Sequence, residues 1–132
     1  MLAPPFDDKK YYGYISLYPK GVRENGGQYT HGAIWFILAL IRCGRADEAY
    51  EIFKAINPVE KCKDQTAVKK YMAEPYVLAA DVSSCDNLGR AGWTWYTGSA
   101  SWCFKTMLEG FLGVSVKDGN IVIDPAPPKA FS

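Results

Sequence analysis

The stretch "RENGGQYTHGAIW", positions 23–35, sets the chain's only histidine, His31, at the head of an apolar run, behind a charged pair and two glycines. Such a run forms a helix. A helix start carries unpaired N–H groups and a partial positive charge, so it attracts anions. Two uses of His31 fit the pattern: a structural hydrogen bond at the helix end, or a contact to a bound oxyanion. A second start of the same kind lies at "YTGSA", where Thr97 offers a hydroxyl and Gly98 an unobstructed backbone N–H. Thr-Gly-Ser is equally an ordinary cap. If the two starts converge, they share one oxyanion. Arg23 and Glu24 read either as a surface ion pair of little weight or as partners for sugar hydroxyls. Trp93, Trp95 and Tyr96 read as core aromatics or as a platform for stacking a sugar ring. Glu74, Asp81 and Asp86 are carboxylates without an evident partner, and nothing in their surroundings marks a general acid.

The elements that must position these groups follow from periodicity. From Thr30 to Arg42 nearly every residue is apolar, with Thr30 placed as a cap and Gly44 just past the end, which predicts a helix over 30–43 buried all round. Beyond Arg45, Ala49, Ile52, Phe53 and Ile56 recur at helical spacing until Asn57-Pro58, predicting a half-exposed helix over 45–57. A buried helix turned tightly into an amphipathic one is the inner-outer pair from which helical barrels and solenoids are built. A third helix is expected over 99–112, with Gly113 as its stop. "VSVKDGNIVID" then alternates about Asp118-Gly119, a β-hairpin signature that implies a larger sheet. The opening 22 residues show no periodicity, residues 59–98 have no clear pattern, and the closing "PAPPKAFS" has no evident partner.

Composition narrows the classes. At 132 residues and 48% apolar content the chain holds one modest core. Fifteen basic and fourteen acidic residues leave a net charge of +1, with no basic run to track a phosphodiester backbone, which argues against nucleic acid. The longest apolar stretch is well short of the roughly 20 residues of a membrane span, so the chain reads as soluble. Its four cysteines stand singly, without the paired spacing of a zinc site or the density of a disulfide scaffold, consistent with reduced thiols in the cytoplasm.

The blocks "LAPPFD", "GYISLYPKGVRENGGQYTHGAIW", "EPYVLAADV", "GRAGWTWYTGSASW" and "LEGFLGV" resemble, in that order, the end of the catalytic domain of glycoside hydrolase family 94, the inverting disaccharide phosphorylases. Within the family they look most like cyclic β-1,2-glucan synthases and 1,2-β-oligoglucan phosphorylases. The resemblance implies a mainly α fold: residues 1–113 as the C-terminal part of an (α/α)6 barrel, and 114–132 as the start of a C-terminal β region. It implies that His31, Thr97 and Gly98 bind inorganic phosphate, a co-substrate with no other cofactor and no metal, and that Tyr18, Arg23 and Glu24 face a β-glucan oligosaccharide or disaccharide.

The family's general acid, an aspartate, and an arginine of the phosphate site have no match here. The chain therefore looks like a C-terminal fragment that is inactive alone. The implied setting is cytoplasmic, either a free phosphorylase or the cytoplasmic domain of a membrane-bound synthase, with exposed helix faces that favour homo-oligomers. The competing class is a non-catalytic helical module that binds carbohydrate or a protein partner.

Overall fold

The computed structural model describes residues 5–6, 9–95 and 98–131. The fold is mainly α, with two small antiparallel sheets. After a 3-10 turn, Gly13–Leu17, in the opening segment, strand β1 (Gln28–Tyr29) leads directly into α1 (Thr30–Arg42), followed by α2 (Ala46–Ile56). Short helices α3 (Pro58–Lys61) and α4 (Gln65–Tyr71) precede β2 (Asp81–Val82), which pairs with β1. Helix α5 (Gly98–Lys105) continues as a π-helical turn over Thr106–Phe111, and β3 (Val114–Lys117) and β4 (Asn120–Ile123) form the hairpin.

The core lies where α1, α2 and the end of α5 meet: Ile34, Ile37, Leu40 and Ile41 pack with Ala49, Ile56 and Phe111. Burying a side chain such as Ile37 stabilises the fold by about 1.5–3 kcal/mol. The turn between α1 and α2 is tight because two backbone bonds close it, Gly44 N–H to Ile41 C=O at 2.9 Å and Arg45 N–H to Leu40 C=O at 2.9 Å, the paired bonds of a Schellman end.

Several expectations are corrected. Helix α1 is not buried all round: Trp35 and Phe36 are about half exposed, because its apolar residues outnumber what α2 and α5 cover. Thr30 is not the cap. Tyr29 holds the N-cap without a side-chain bond, and Thr30 N–H is instead taken by Ala80 C=O at 3.0 Å, since β1 pairs right up to the helix. Asn57-Pro58 stops α2 but also starts α3, with Asn57 Oδ1 accepting Val59 N–H at 3.1 Å. The third helix leaves α geometry after Lys105, shown by Leu112 N–H reaching Met107 C=O at 3.0 Å. The hairpin is a separate two-stranded sheet, and Val116, Ile121 and Ile123 on one of its faces are exposed. Among the described residues, no helix is long and apolar enough to cross a membrane.

The C-terminal tail does find a partner. Its Ala126 N–H bonds Phe111 C=O, Pro128 is fully buried, and Lys129 N–H donates to Asp47 Oδ1 at 2.7 Å while Phe131 meets the Tyr50 ring at 5.0 Å between centroids. The Lys129 N–H holds the Asp47 carboxyl below its ordinary pKa. A carboxylate lowered in the folded state contributes stability above its unfolded pKa, about 3.9, and loses it as pH falls through the lowered folded value. Tail docking is therefore expected to persist at neutral pH and to weaken in acid, read as a lower protection factor of the Lys129 amide, relative to its intrinsic exchange rate, below about pH 4. Asp47→Asn should lose most of this pH dependence.

Candidate functional site

The loop before β1 is built around a residue that sequence reasoning passed over. Asn25 is 4% exposed, donates through Nδ2 to Tyr18 C=O at 2.8 Å and accepts Phe6 N–H at Oδ1, 2.7 Å away. Its backbone closes the turn, with Gly21 N–H on Asn25 C=O at 2.8 Å and Asn25 N–H on Val22 C=O at 3.0 Å. Its role was hidden because both side-chain bonds go to backbone distant in sequence. Arg23 sits in this turn at φ +47°. Its Nη1 donates to the Tyr18 hydroxyl at 3.3 Å, and its guanidinium lies 5.5 Å from the Tyr18 ring centroid. Tyr18 and Arg23 therefore form one unit, and Arg23 is engaged by Tyr18 rather than by Glu24. Glu24 Oε2 is screened from water without a hydrogen-bond partner among the described residues.

His31 stands one residue into α1, its ring half-buried among aromatics: Trp35 at 4.7 Å edge-on, Tyr29 at 6.1 Å and Trp102 at 6.2 Å between centroids. The ring also touches the start of α5. A Cβ built on Gly98 would lie 3.1 Å from His31 Cε1 and 3.3 Å from Nδ1. The heads of α1 and α5 thus meet at this imidazole, whose Nε2 is screened from water and lacks a partner among the described residues. Thr97, named with His31 and Gly98 from the sequence, lies outside the described residues, as does Tyr96.

An open cavity of about 330 Å³ lies between Arg23, Tyr29, His31, Trp93, Gly98 and Ser99. It brings one member of the Tyr18–Arg23 unit to the two helix starts. Among the described residues no carboxylate lines it, and its lining carries the Arg23 guanidinium, the His31 imidazole, the Trp93 indole and the hydroxyls of Tyr29 and Ser99, beside the heads of α1 and α5. That inventory suits an anion, since helix N-termini and a guanidinium favour negative charge. Trp93 is 49% exposed at the cavity and Trp95 is 84% exposed, so neither belongs to the core. A larger cavity, about 580 Å³, lies between α2, α3, α4 and β2 and is lined by lysines, Glu51 and Glu60 together with Gln28; none of the predicted site residues lines it. Among the described residues no cluster of His, Cys, Asp or Glu has the makings of a metal site.

Comparison with known proteins gives consistent matches. The family described as glycosyl hydrolase 94 superfamily, catalytic domain, matches residues 1–113. The chain is 46% identical over 130 residues to the cyclic beta-(1,2)-glucan synthase NdvB of Rhizobium meliloti (strain 1021), covering 97% of this chain and 5% of that protein. It is 30% identical over 132 residues to the N,N'-diacetylchitobiose phosphorylase of Vibrio furnissii, covering 98% of this chain and 16% of the relative. It is 28% identical over 131 residues to the solabiose phosphorylase of Paenibacillus borealis, covering 97% and 17%. The chain spans only a small part of the length of each of these relatives.

Proposed function

Because the chain belongs to the glycosyl hydrolase 94 superfamily, as part of its catalytic domain, we propose that it supplies phosphate and sugar contacts for inverting phosphorolysis of a β-glucoside. The packed α1–α2 pair and α5 are then part of an (α/α)6 barrel. His31, Thr97 and Gly98 hold inorganic phosphate; Tyr18, Arg23 and Glu24 face the sugar. In the reaction a phosphate oxygen forms a bond to the anomeric carbon as the glycosidic C–O bond breaks. The leaving oxygen takes a proton from an aspartic acid outside this chain, and the anomeric centre inverts to an α-glycosyl phosphate. Donors fixed beside the phosphate hold its attacking oxygen in line and stabilise charge as it redistributes.

The single observation that carries the proposal is the His31 ring, set against the head of α5 through its Cε1–Nδ1 edge and with Nε2 unpartnered, at a cavity with no carboxylate among its described lining. A buried polar atom without a partner costs free energy, and a phosphate oxygen is a partner of the right kind. The relatives support the reaction class, since they include phosphorylases and a glucan synthase. The higher identity to the β-1,2-glucan synthase makes β-1,2-linked gluco-oligosaccharides the proposed sugar.

The single histidine makes the test direct. Titrating the chain with inorganic phosphate should shift the His31 ring resonances together with the Gly98 and Ser99 amides in NMR spectra; ring signals indifferent to phosphate would refute the site. The chain by itself should release no glucose 1-phosphate from sophorose and phosphate, because no general acid is assigned to it. Turnover by the purified chain would show that the acid lies within these residues.

A further inference from the structure

Asp81 is the one charged side chain among the buried described residues, 3% exposed. No cation pairs with it among those residues, and its Oδ1 accepts a long hydrogen bond from Trp93 N–H, 3.4 Å. A buried charge held by a neutral donor is costly, and an apolar side chain would serve stability better. Its backbone surroundings are dense. Ala80 N–H bonds Trp93 C=O at 2.7 Å, Gly92 N–H bonds Asp81 C=O at 2.8 Å, and Val82 bridges to Ala91. On its other side Asp81 pairs with Tyr29, and Ala80 C=O accepts Thr30 N–H, one residue before His31. Residues 80–81 therefore tie the head of α1 to Trp93. The carboxylate packs so closely on Gly92 that a Cβ there would lie 2.7 Å from Asp81 Cγ and Oδ2.

We infer that Asp81 is a positioning residue: its carboxylate fixes the Gly92–Trp93 backbone so that the half-exposed Trp93 indole forms the sugar-facing wall of the cavity that contains His31. The role rests on the function proposed above, with the apolar face of a pyranose ring as the group Trp93 receives. Asp81 touches neither sugar nor phosphate; it acts through Trp93.

The test uses the full chain with sophorose and inorganic phosphate as separate probes. Asp81→Ala should speed exchange of the Trp93 amide and weaken the sophorose response of the Trp93 indole signal by about tenfold, the worth of one lost hydrogen bond. The phosphate shift of His31 should survive. Asp81→Asn keeps an acceptor and should restore both Trp93 readouts. Gly92→Ala is the independent variant, since it leaves Asp81 in place but sets a Cβ against the carboxylate. It should weaken sophorose in the same way, and by less when Asp81 is already Ala. An unchanged Trp93 amide and indole in Asp81→Ala overturns the inference. So does equal loss in Asp81→Asn and Asp81→Ala, or an equal cost of Gly92→Ala in both backgrounds. A native chain that answers neither probe overturns the functional proposal and the sugar-facing role together, whereas a native chain that binds both, with Asp81→Ala binding as well, overturns the role of Asp81 alone.

Discussion

In an enzyme that carries this segment, His31→Ala is expected to lower kcat/KM for inorganic phosphate by about 10²–10³-fold, the usual loss when one fixed donor to a reacting oxyanion is removed. The KM for the sugar should change far less, since a donor aimed at the attacking anion acts on that substrate and on the transition state. The ring is placed by contacts it does not itself supply: β1 pairs with β2, Ala80 C=O holds Thr30 N–H, and Trp35 stands edge-on 4.7 Å away. Removing the imidazole should therefore leave the head of α1 where it is. Steady-state kinetics with each substrate varied in turn make the check. Equal losses for sugar and phosphate would mean that His31 supports the architecture rather than the anion.

The largest effect on stability is expected from Gly113→Ala. Gly113 ends the π-helical turn at φ +68°, and a Cβ there would run into the carbonyl of Asp124 and come within 2.5 Å of Pro125 N. The left-handed backbone costs a non-glycine residue about 1 kcal/mol, and forcing atoms into an occupied space adds about 1–3 kcal/mol. Gly119, at φ +79° with nothing within 4 Å of its Cβ position, isolates the first of these costs. Urea unfolding should show Gly113→Ala losing clearly more than Gly119→Ala. Equal midpoints would mean that the chain after β4 moves away freely.

The features legible in the sequence are those with local causes. Asp118-Gly119 has positive φ at both positions, 51° and 79°, which is the type I′ turn that joins β3 and β4 in register. Helices α1 and α2 were equally readable, because their spacing and the turn at Gly44 lie within one short window. What could not be read depends on distant partners. The π-helical turn brings Gly110 so close to Ile41 that a Cβ would lie 2.9 Å from Ile41 Cδ1, a constraint invisible from residues 106–111. Strands of two residues, β1 and β2, carry no periodicity at all. The tail shows no pattern because its order comes from Asp47 and Tyr50 on α2.

The site was legible in part. In the sequence His31 and Gly98 stand at two separate helix starts, and the fold sets them side by side. Asp81 gave no signal, since a lone carboxylate in sequence does not reveal whether it is solvated or sealed against Gly92.

The pairing of β1 with β2 also sets an order of events as the chain folds. The α1–α2 turn and the β3–β4 hairpin each close only a few residues, whereas joining Gln28–Tyr29 to Asp81–Val82 closes a loop of about 50 residues for two pairs of partners. Contacts so far apart in sequence are slow to form, because the entropy of closure is lost before the contacts repay it. The cavity inherits that delay, since Trp93 and the head of α1 are both tied to residues 80–81. A chain with native helices and a native hairpin is thus still without a binding cavity, and ligand-responsive His31 signals should recover later in refolding than far-ultraviolet circular dichroism.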